Sequence, residues 1–226
     1  MRRAAPSPNP DAAPLPARPP VWRWQDGDVD VAFVGRGAIS RRDRPRGDAL
    51  RDAAAIAFDA PATPIAWLDQ VHGRAVIDLD DARARDRAEP PPLGDAACGP
   101  ADALVTAQAD LTLAIVTADC VPVVLRAGPA IAAVHAGWRG IAAGVVPAAM
   151  RRLVRRARAA APDRKGDTPL AVDAWIGPAI AAAAYEVSDD VAAAVADAVP
   201  ARDRAALTAP GPRGRPMLDL IAAVRA

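Results

Sequence analysis

Histidine is almost absent from this chain, with two in 226 residues, at His72 and His135. A multicopper centre uses roughly ten histidine ligands, because Cu(II) favours imidazole, and that count excludes it. Lysine is rarer still, with Lys165 alone, and Glu89 and Glu186 are the only glutamates, so charge is carried almost wholly by Arg and Asp. The formal net charge of +1 supplies no global field that would draw the chain to nucleic acid or to an anionic membrane. Two cysteines, Cys98 and Cys120, make no disulfide framework. No stretch approaches the roughly 20 apolar residues of a membrane-spanning helix. The N-terminus starts with two arginines but has no apolar core of a secretory signal. These absences predict a soluble cytoplasmic protein with no nucleic-acid and no membrane partner.

The densest chemistry lies between Leu111 and Gly140, LTLAIVTADCVPVVLRAGPAIAAVHAGWRG. One apolar run, Leu111 to Val116, is followed closely by Asp119 and Cys120. A second, Ile131 to Val134, leads into His135 and the Gly-flanked aromatic Gly137-Trp138-Arg139-Gly140. Strands that deliver Cys and His into glycine-rich turns are a common way to build a site, although Cys120 also fits a small buried hydrophobe. Both histidines sit in similar surroundings, Val71-His72-Gly73 and Val134-His135-Ala136-Gly137. Together Cys120, His72 and His135 form a set suited to zinc, which accepts thiolate and imidazole in tetrahedral geometry. Three protein ligands leave a fourth position open, the arrangement of a catalytic rather than a structural zinc. No local zinc-finger spacing joins them, so the fold must bring His72 to the other two.

Five ordered motifs carry a resemblance. They are Trp67-Leu68-Asp69-Gln70-Val71-His72-Gly73; Ala101-Asp102-Ala103-Leu104-Val105-Thr106; Thr117-Ala118-Asp119-Cys120-Val121-Pro122-Val123; His135-Ala136-Gly137-Trp138-Arg139-Gly140; and Ile176-Gly177-Pro178-Ala179-Ile180 with Tyr185-Glu186-Val187. Their order and spacing resemble the YfiH/laccase-domain family (DUF152) from about Val31 onward. The resemblance implies a metal site on His72, Cys120 and His135. It also implies a purine-nucleoside enzyme: phosphorolysis of adenosine, inosine, guanosine or methylthioadenosine, with adenosine deamination, and purine nucleoside and phosphate as partners. Members also carry the label polyphenol oxidase, so copper is an in vitro alternative to zinc. Arg36 and Arg139 are phosphate-holding candidates, Arg36 on the resemblance alone, because arginine grips oxyanions through a bidentate fork. Gln70 is a further substrate-binding candidate. Asp119 is either a proton carrier or a turn-former, and Trp138 and Tyr185 either stack on a base or pack the turn. Asp102 has a carboxylate able to orient a ligand from behind.

Strand-like apolar runs mixed with Ala-rich helices predict a mixed α/β or α+β domain, and the chain length suits one core. The resemblance narrows this to α+β, a single domain with mixed β-sheets in the centre and helices packed outside. Residues 1–20 are Pro- and Ala-rich and are expected to be a disordered tail. The catalytic domain is then expected over 21–226, without the Cys-Thr pair and Ser-Tyr-Arg-Arg motif that close the family's sequences. Strands are expected at Val29–Val34 and Leu170–Ile176. Helices are expected at Leu50–Phe58, Ile141–Ala160, Asp189–Val199 and Met217–Arg225, with a tight turn at Gly137–Gly140. The arginines late in the second helix read as a solvated helix end, Asp80–Pro92 as a surface loop, and Cys98 as an incidental thiol near the site entrance.

Three other activities fit the same residues. Without metal, Cys120 and His135 would form a thiolate–imidazolium pair oriented by Asp119 or Asp102, giving a cysteine hydrolase. A copper-dependent polyphenol oxidase (laccase) is the second, and a catalytically weakened nucleoside-binding protein the third. Oligomeric state leaves no mark in the sequence.

Overall fold

The computed structural model describes residues 19–35, 46–59, 64–81, 97–161 and 170–226. The chain forms two compact units, residues 1–60 and 61–226. In the first, strands β1 (Val21–Asp26) and β2 (Val29–Val34) pair as an antiparallel hairpin, turned at Gly27 with φ +60°. Helix α1 (Arg46–Phe58) packs on β2. Alternation along Val29–Val34 buries Val31 and Phe33 on one face, as a half-buried strand requires. The expected tail at 1–20 falls almost wholly outside the described residues. At its end, the Pro20 carbonyl accepts a hydrogen bond of 2.8 Å from the Gly35 N–H.

The second unit is built on a five-stranded mixed sheet in the order β4-β5-β8-β7-β9. Its strands are β4 (Val76–Asp78), β5 (Ala103–Thr106), β7 (Val121–Ala127), β8 (Ala130–Ala136) and β9 (Asp173–Ile176). Only β4 and β5 run parallel; the other neighbours are antiparallel. Two short pairs flank it, β3 (Ile65–Ala66) with β6 (Thr112–Leu113), and β10 (Thr208–Pro210) with β11 (Pro216–Leu218). Helices α2 (Trp138–Ala143), α3 (Val145–Ala160), α4 (Asp189–Asp197) and α5 (Leu220–Arg225), with two short 3-10 turns at Ala182–Ala184 and Arg204–Ala206, complete the described elements. The expected α+β class, with helices packed on mixed sheet, is the one observed.

Periodicity explains the main layer. On α3, Val145, Ala149, Leu153 and Ala157 recur every four residues and are all buried against the sheet, where Val121, Val123, Leu125 and Val134 receive them. The arginines occupy the remaining faces, and two of them are not simply solvated. Arg156 donates from Nη2 and Nε to Asp78 Oδ1 at 2.8 and 3.0 Å, and Arg152 lies 3.6 Å from Asp81. Asp78 is 6% exposed, so the guanidinium compensates a carboxylate that burial would otherwise penalise. Asp80 accepts from Thr106 Oγ1, the Ala107 N–H and Gln108 Nε2, all at 2.7 Å, so the expected surface loop begins with an anchored residue. Residues 82–92 of that loop lie outside the described residues.

Four expectations change, each for a local reason. The expected helix from Ile141 to Ala160 is two helices, because Gly144 takes φ +81° and its N–H caps α2 on the Gly140 and Ile141 carbonyls. The expected tight turn at Gly137–Gly140 is instead the cap and first turn of α2. Leu111–Val116 yields only a two-residue strand: its last ladder bond runs from the Ala114 N–H to the Ala66 carbonyl, and the Val116 N–H goes to the Gln70 side chain instead. Met217 belongs to β11, and α5 starts after Asp219, whose carboxylate accepts from the Ala222 N–H at 2.8 Å. Strand β9 and helix α4 are each shorter than expected.

Two outcomes check this account. A Cβ at Gly144 would meet nothing within 4 Å, so Gly144→Ala isolates the left-handed backbone and is expected to cost about 1–2 kcal/mol in urea unfolding; unchanged stability would refute the break. Burial alone would raise the Asp80 carboxyl, but the bonds from Ala107, Thr106 and Gln108 and the Arg156 charge together hold it below its ordinary 3.8. Its contribution is therefore complete above the unfolded value and is lost as pH falls through the lower folded one. The stability gap between wild type and Asp80→Asn is expected to shrink well below pH 3.8.

Candidate functional site

Both histidines and Cys120 converge at one end of the central sheet. Cys120 precedes β7, and His135 is the next-to-last residue of β8, opposite Pro122 in the same hairpin. The hairpin register therefore places this Cys and His close together although 15 positions separate them in sequence. His72 arrives from the segment between β3 and β4. One ligand atom from each of His72, Cys120 and His135 lies within 4.8 Å of the others. The two imidazoles meet edge to face, with ring centroids 4.7 Å apart and planes at 82°.

Asp102 stands behind both histidines. It is fully buried, and its Oδ1 accepts from His135 Nδ1 at 2.8 Å and from the His72 N–H at 2.9 Å. Its Oδ2 accepts from the Gly73 N–H at 2.6 Å. The His135 bond places that proton on Nδ1 and leaves Nε2 unprotonated, the form a metal ligand needs. His72 has φ +60°, a left-handed conformation that costs a non-glycine residue about 1–3 kcal/mol and survives only where its surroundings enforce it. The Asp102 carboxylate, bonded to two successive N–H groups of that turn, supplies the enforcement.

Burial lowers the His135 pKa, opposed by the hydrogen bond and charge of Asp102, so the ring is neutral near pH 7. Burial pushes the Cys120 thiol up, reinforced by the Asp119 and Asp102 carboxylates. A free Cys120 is thus a poor thiolate, and a cation beside it would reverse the balance. The donor set itself, one soft sulfur and two imidazoles around a small space, suits a single zinc-like ion. A close approach on the remaining side supports this fit. A Cβ added at Gly137 would lie 2.9 Å from Cys120 Sγ and 3.1 Å from His72 Cδ2, so glycine alone lets the α2 cap sit against the ligands.

The other candidates separate. Gln70 uses both ends of its carboxamide on one residue: Nε2 donates to the Val116 carbonyl at 2.7 Å, and Oε1 accepts from the Val116 N–H at 2.8 Å. It is a strut between the His72 segment and the approach to Cys120. Asp119 is exposed at the mouth, and its carbonyl accepts from the Ile180 N–H at 3.0 Å. Arg139 is exposed and lays its guanidinium 4.3 Å from the centre of the Trp138 ring. Burial raises the Tyr185 pKa, with the charges of Cys120 and Asp119 adding and that of Arg139 opposing, which places all three within electrostatic reach of its hydroxyl. Cys98 is a free thiol half-buried beside Leu68, Ala101 and Leu104, and burial raises its pKa. Arg36 lies outside the described residues. The Gln70–Val116 strut left no signal in the sequence, since 46 positions separate the partners.

Residues 40–226 match the family described as multi-copper polyphenol oxidoreductase laccase, and the chain belongs to that family, within which its structural neighbours are called YfiH or DUF152 proteins. It is 38% identical over 180 residues to a Streptomyces coelicolor protein named purine nucleoside phosphorylase, covering 79% of this chain and 64% of the relative. Over 138 residues it is 36% identical to purine nucleoside phosphorylase YfiH of Escherichia coli, covering 60% and 46%. The chain therefore spans about half to two thirds of the length of these curated relatives. Among solved structures it resembles Neisseria meningitidis protein NMB0706, a DUF152 protein, with TM-score 0.65 and 27% identity over 92% of this chain and 81% of that one. A Bacillus licheniformis hypothetical protein YfiH gives TM-score 0.62 and 27% identity, covering 79% and 63%. The multicopper description does not fit the residues here, because the whole chain holds two histidines and both are in this one cluster.

Gly137→Ala tests the cradle. Gly137 has φ −79°, so alanine brings no backbone strain, only a methyl against Cys120 and His72. Zinc affinity is expected to fall at least tenfold, while the urea midpoint stays near wild type. Unaltered affinity would show that the cap does not bear on the ligands.

Proposed function

We propose that this chain is a zinc-dependent purine nucleoside phosphorylase acting on adenosine, inosine, guanosine or methylthioadenosine, with adenosine deaminase activity at the same centre. The observation that carries the reading is the convergence of His72, Cys120 and His135 within 4.8 Å, with Asp102 on His135 Nδ1. The names of the relatives supply the substrate class. When bound on these three ligands, zinc supplies a Lewis acid and acidifies water at its open fourth position.

The protein's own groups divide the remaining work. In phosphorolysis the bond between the purine nitrogen and ribose C1′ breaks and a phosphate oxygen bonds C1′. Arg139, stacked on Trp138, holds the phosphate charge. In deamination water replaces the exocyclic amine and ammonia leaves, a change that needs a proton moved from water to nitrogen. Asp119, exposed and close enough to Cys120 for its charge to act on the thiol, is the carboxylate we assign to carry it. Tyr185 and Trp138 offer ring faces for the base. Gln70 acts by fixing the Cys120 approach rather than by touching substrate. The cysteine-hydrolase alternative is disfavoured, because two carboxylates and burial all oppose a Cys120 thiolate in the absence of a cation.

Incubation of the purified chain with adenosine checks this reading. Phosphate-dependent release of adenine with ribose 1-phosphate is expected, together with phosphate-independent formation of inosine and ammonia. His72→Ala and Cys120→Ala should abolish both, whereas Arg139→Ala should raise the KM for phosphate and spare deamination. Nucleoside binding without turnover would establish the binding-protein alternative instead. Turnover that survives His72→Ala would refute the metal role.

A further inference from the structure

We infer that Asp102 is a positioning residue that shapes the metal site before any metal arrives, by fixing one ligand's tautomer and the other ligand's backbone through a single carboxylate. The inference rests on the reading of His72, Cys120 and His135 as metal ligands.

Three N–H groups point at two oxygens: His135 Nδ1 and the His72 amide on Oδ1, and the Gly73 amide on Oδ2. Asp102 is fully buried, so water cannot replace any of them. A carboxylate accepts at both oxygens, whereas a carboxamide accepts at one and donates at the other. Whichever way an asparagine is turned at this position, its NH₂ faces a donor. Either the His135 and His72 bonds are lost or the Gly73 bond is.

Both consequences reach the metal ligands. Loss of the His135 bond frees its imidazole to carry the proton on Nε2, the atom that faces the cluster. Loss of the Gly73 bond releases the turn that holds His72 at φ +60°. The backbone reinforces the coupling, since the His135 N–H also donates to the Asp102 carbonyl at 2.8 Å. Asp102 is therefore built into the same strand pairing that presents His135, and the two histidines are linked to each other through one oxygen atom. Orienting partners of this kind change metal affinity by about 10–100-fold when removed.

The test uses Asp102→Asn, with Asp78→Asn as a control. Asp78 is another buried carboxylate at the edge of this sheet, paired with Arg156 and not with either histidine. Nitrogen NMR of the metal-free wild type, recorded with the imidazoles neutral, is expected to show His135 protonated at Nδ1 and bare at Nε2. In Asp102→Asn that signature is expected to disappear where the amide NH₂ faces His135 and to survive where it faces Gly73, and in either case zinc affinity by chelator competition should fall about 10–100-fold. Asp78→Asn should lose stability and keep both the signature and the affinity. A wild-type His135 protonated at Nε2 overturns the inference, even should Asp102→Asn fail to fold. So does an Asp102→Asn chain with unchanged tautomer and affinity, and so does an equal affinity loss in Asp78→Asn. A wild type that binds no zinc refutes the metal-site reading itself, a different result from any of these.

Discussion

A carboxylate sealed from water has to be met by donors on every side, and at Asp102 those donors belong to the two histidines and the residue next to one of them. Much of the larger unit can be seen as meeting that requirement. Strand β5 begins immediately after Asp102, and β8 pairs beside it so that His135 reaches the carboxylate. The segment between β3 and β4 bends through a left-handed residue so that successive N–H groups face the same two oxygens. The β7–β8 hairpin then brings Cys120 to the open side, where the glycine cap of α2 leaves room for it. A buried unpaired charge is far costlier than a lost packing contact, which makes this arrangement a constraint on the fold as well as on the site.

The sequence revealed the ligands more readily than the supports. With only two histidines in matching Val-His contexts, His72 and His135 stood out, and Cys120 followed from its place between two apolar runs. The alternation of Val29–Val34 was also legible, and so was helix over most of Ile141–Ala160. Short-range geometry was not. The break at Gly144 requires knowing that its φ is positive, and periodicity continues across it. The Gln70–Val116 strut and the Asp78–Arg156 pair join residues 46 and 78 positions apart, so no local pattern signals either. The Gln70 motif points to function, while its pairing with both backbone groups of Val116 shows only in three dimensions.

The family's description and the names of its relatives pull in different directions, one towards copper oxidation and the other towards nucleosides. The residue inventory of this chain does not supply a multicopper centre. Two imidazoles and one thiolate build a single soft-to-borderline centre, and none are left to make a second. Near it lie the Arg139 guanidinium on the Trp138 ring and the exposed Asp119 carboxylate, and the fold by itself constrains function only loosely.

The central claim is that one metal ion sits on His72, Cys120 and His135 together. The most direct measurement is a cobalt(II) titration of the metal-free chain, followed by visible absorption. The account predicts saturation at one ion per chain, with the strong visible bands of a tetrahedral site and a thiolate charge-transfer band that vanishes in Cys120→Ser. Weak bands of an octahedral oxygen site, or a charge-transfer band that survives Cys120→Ser, would contradict it.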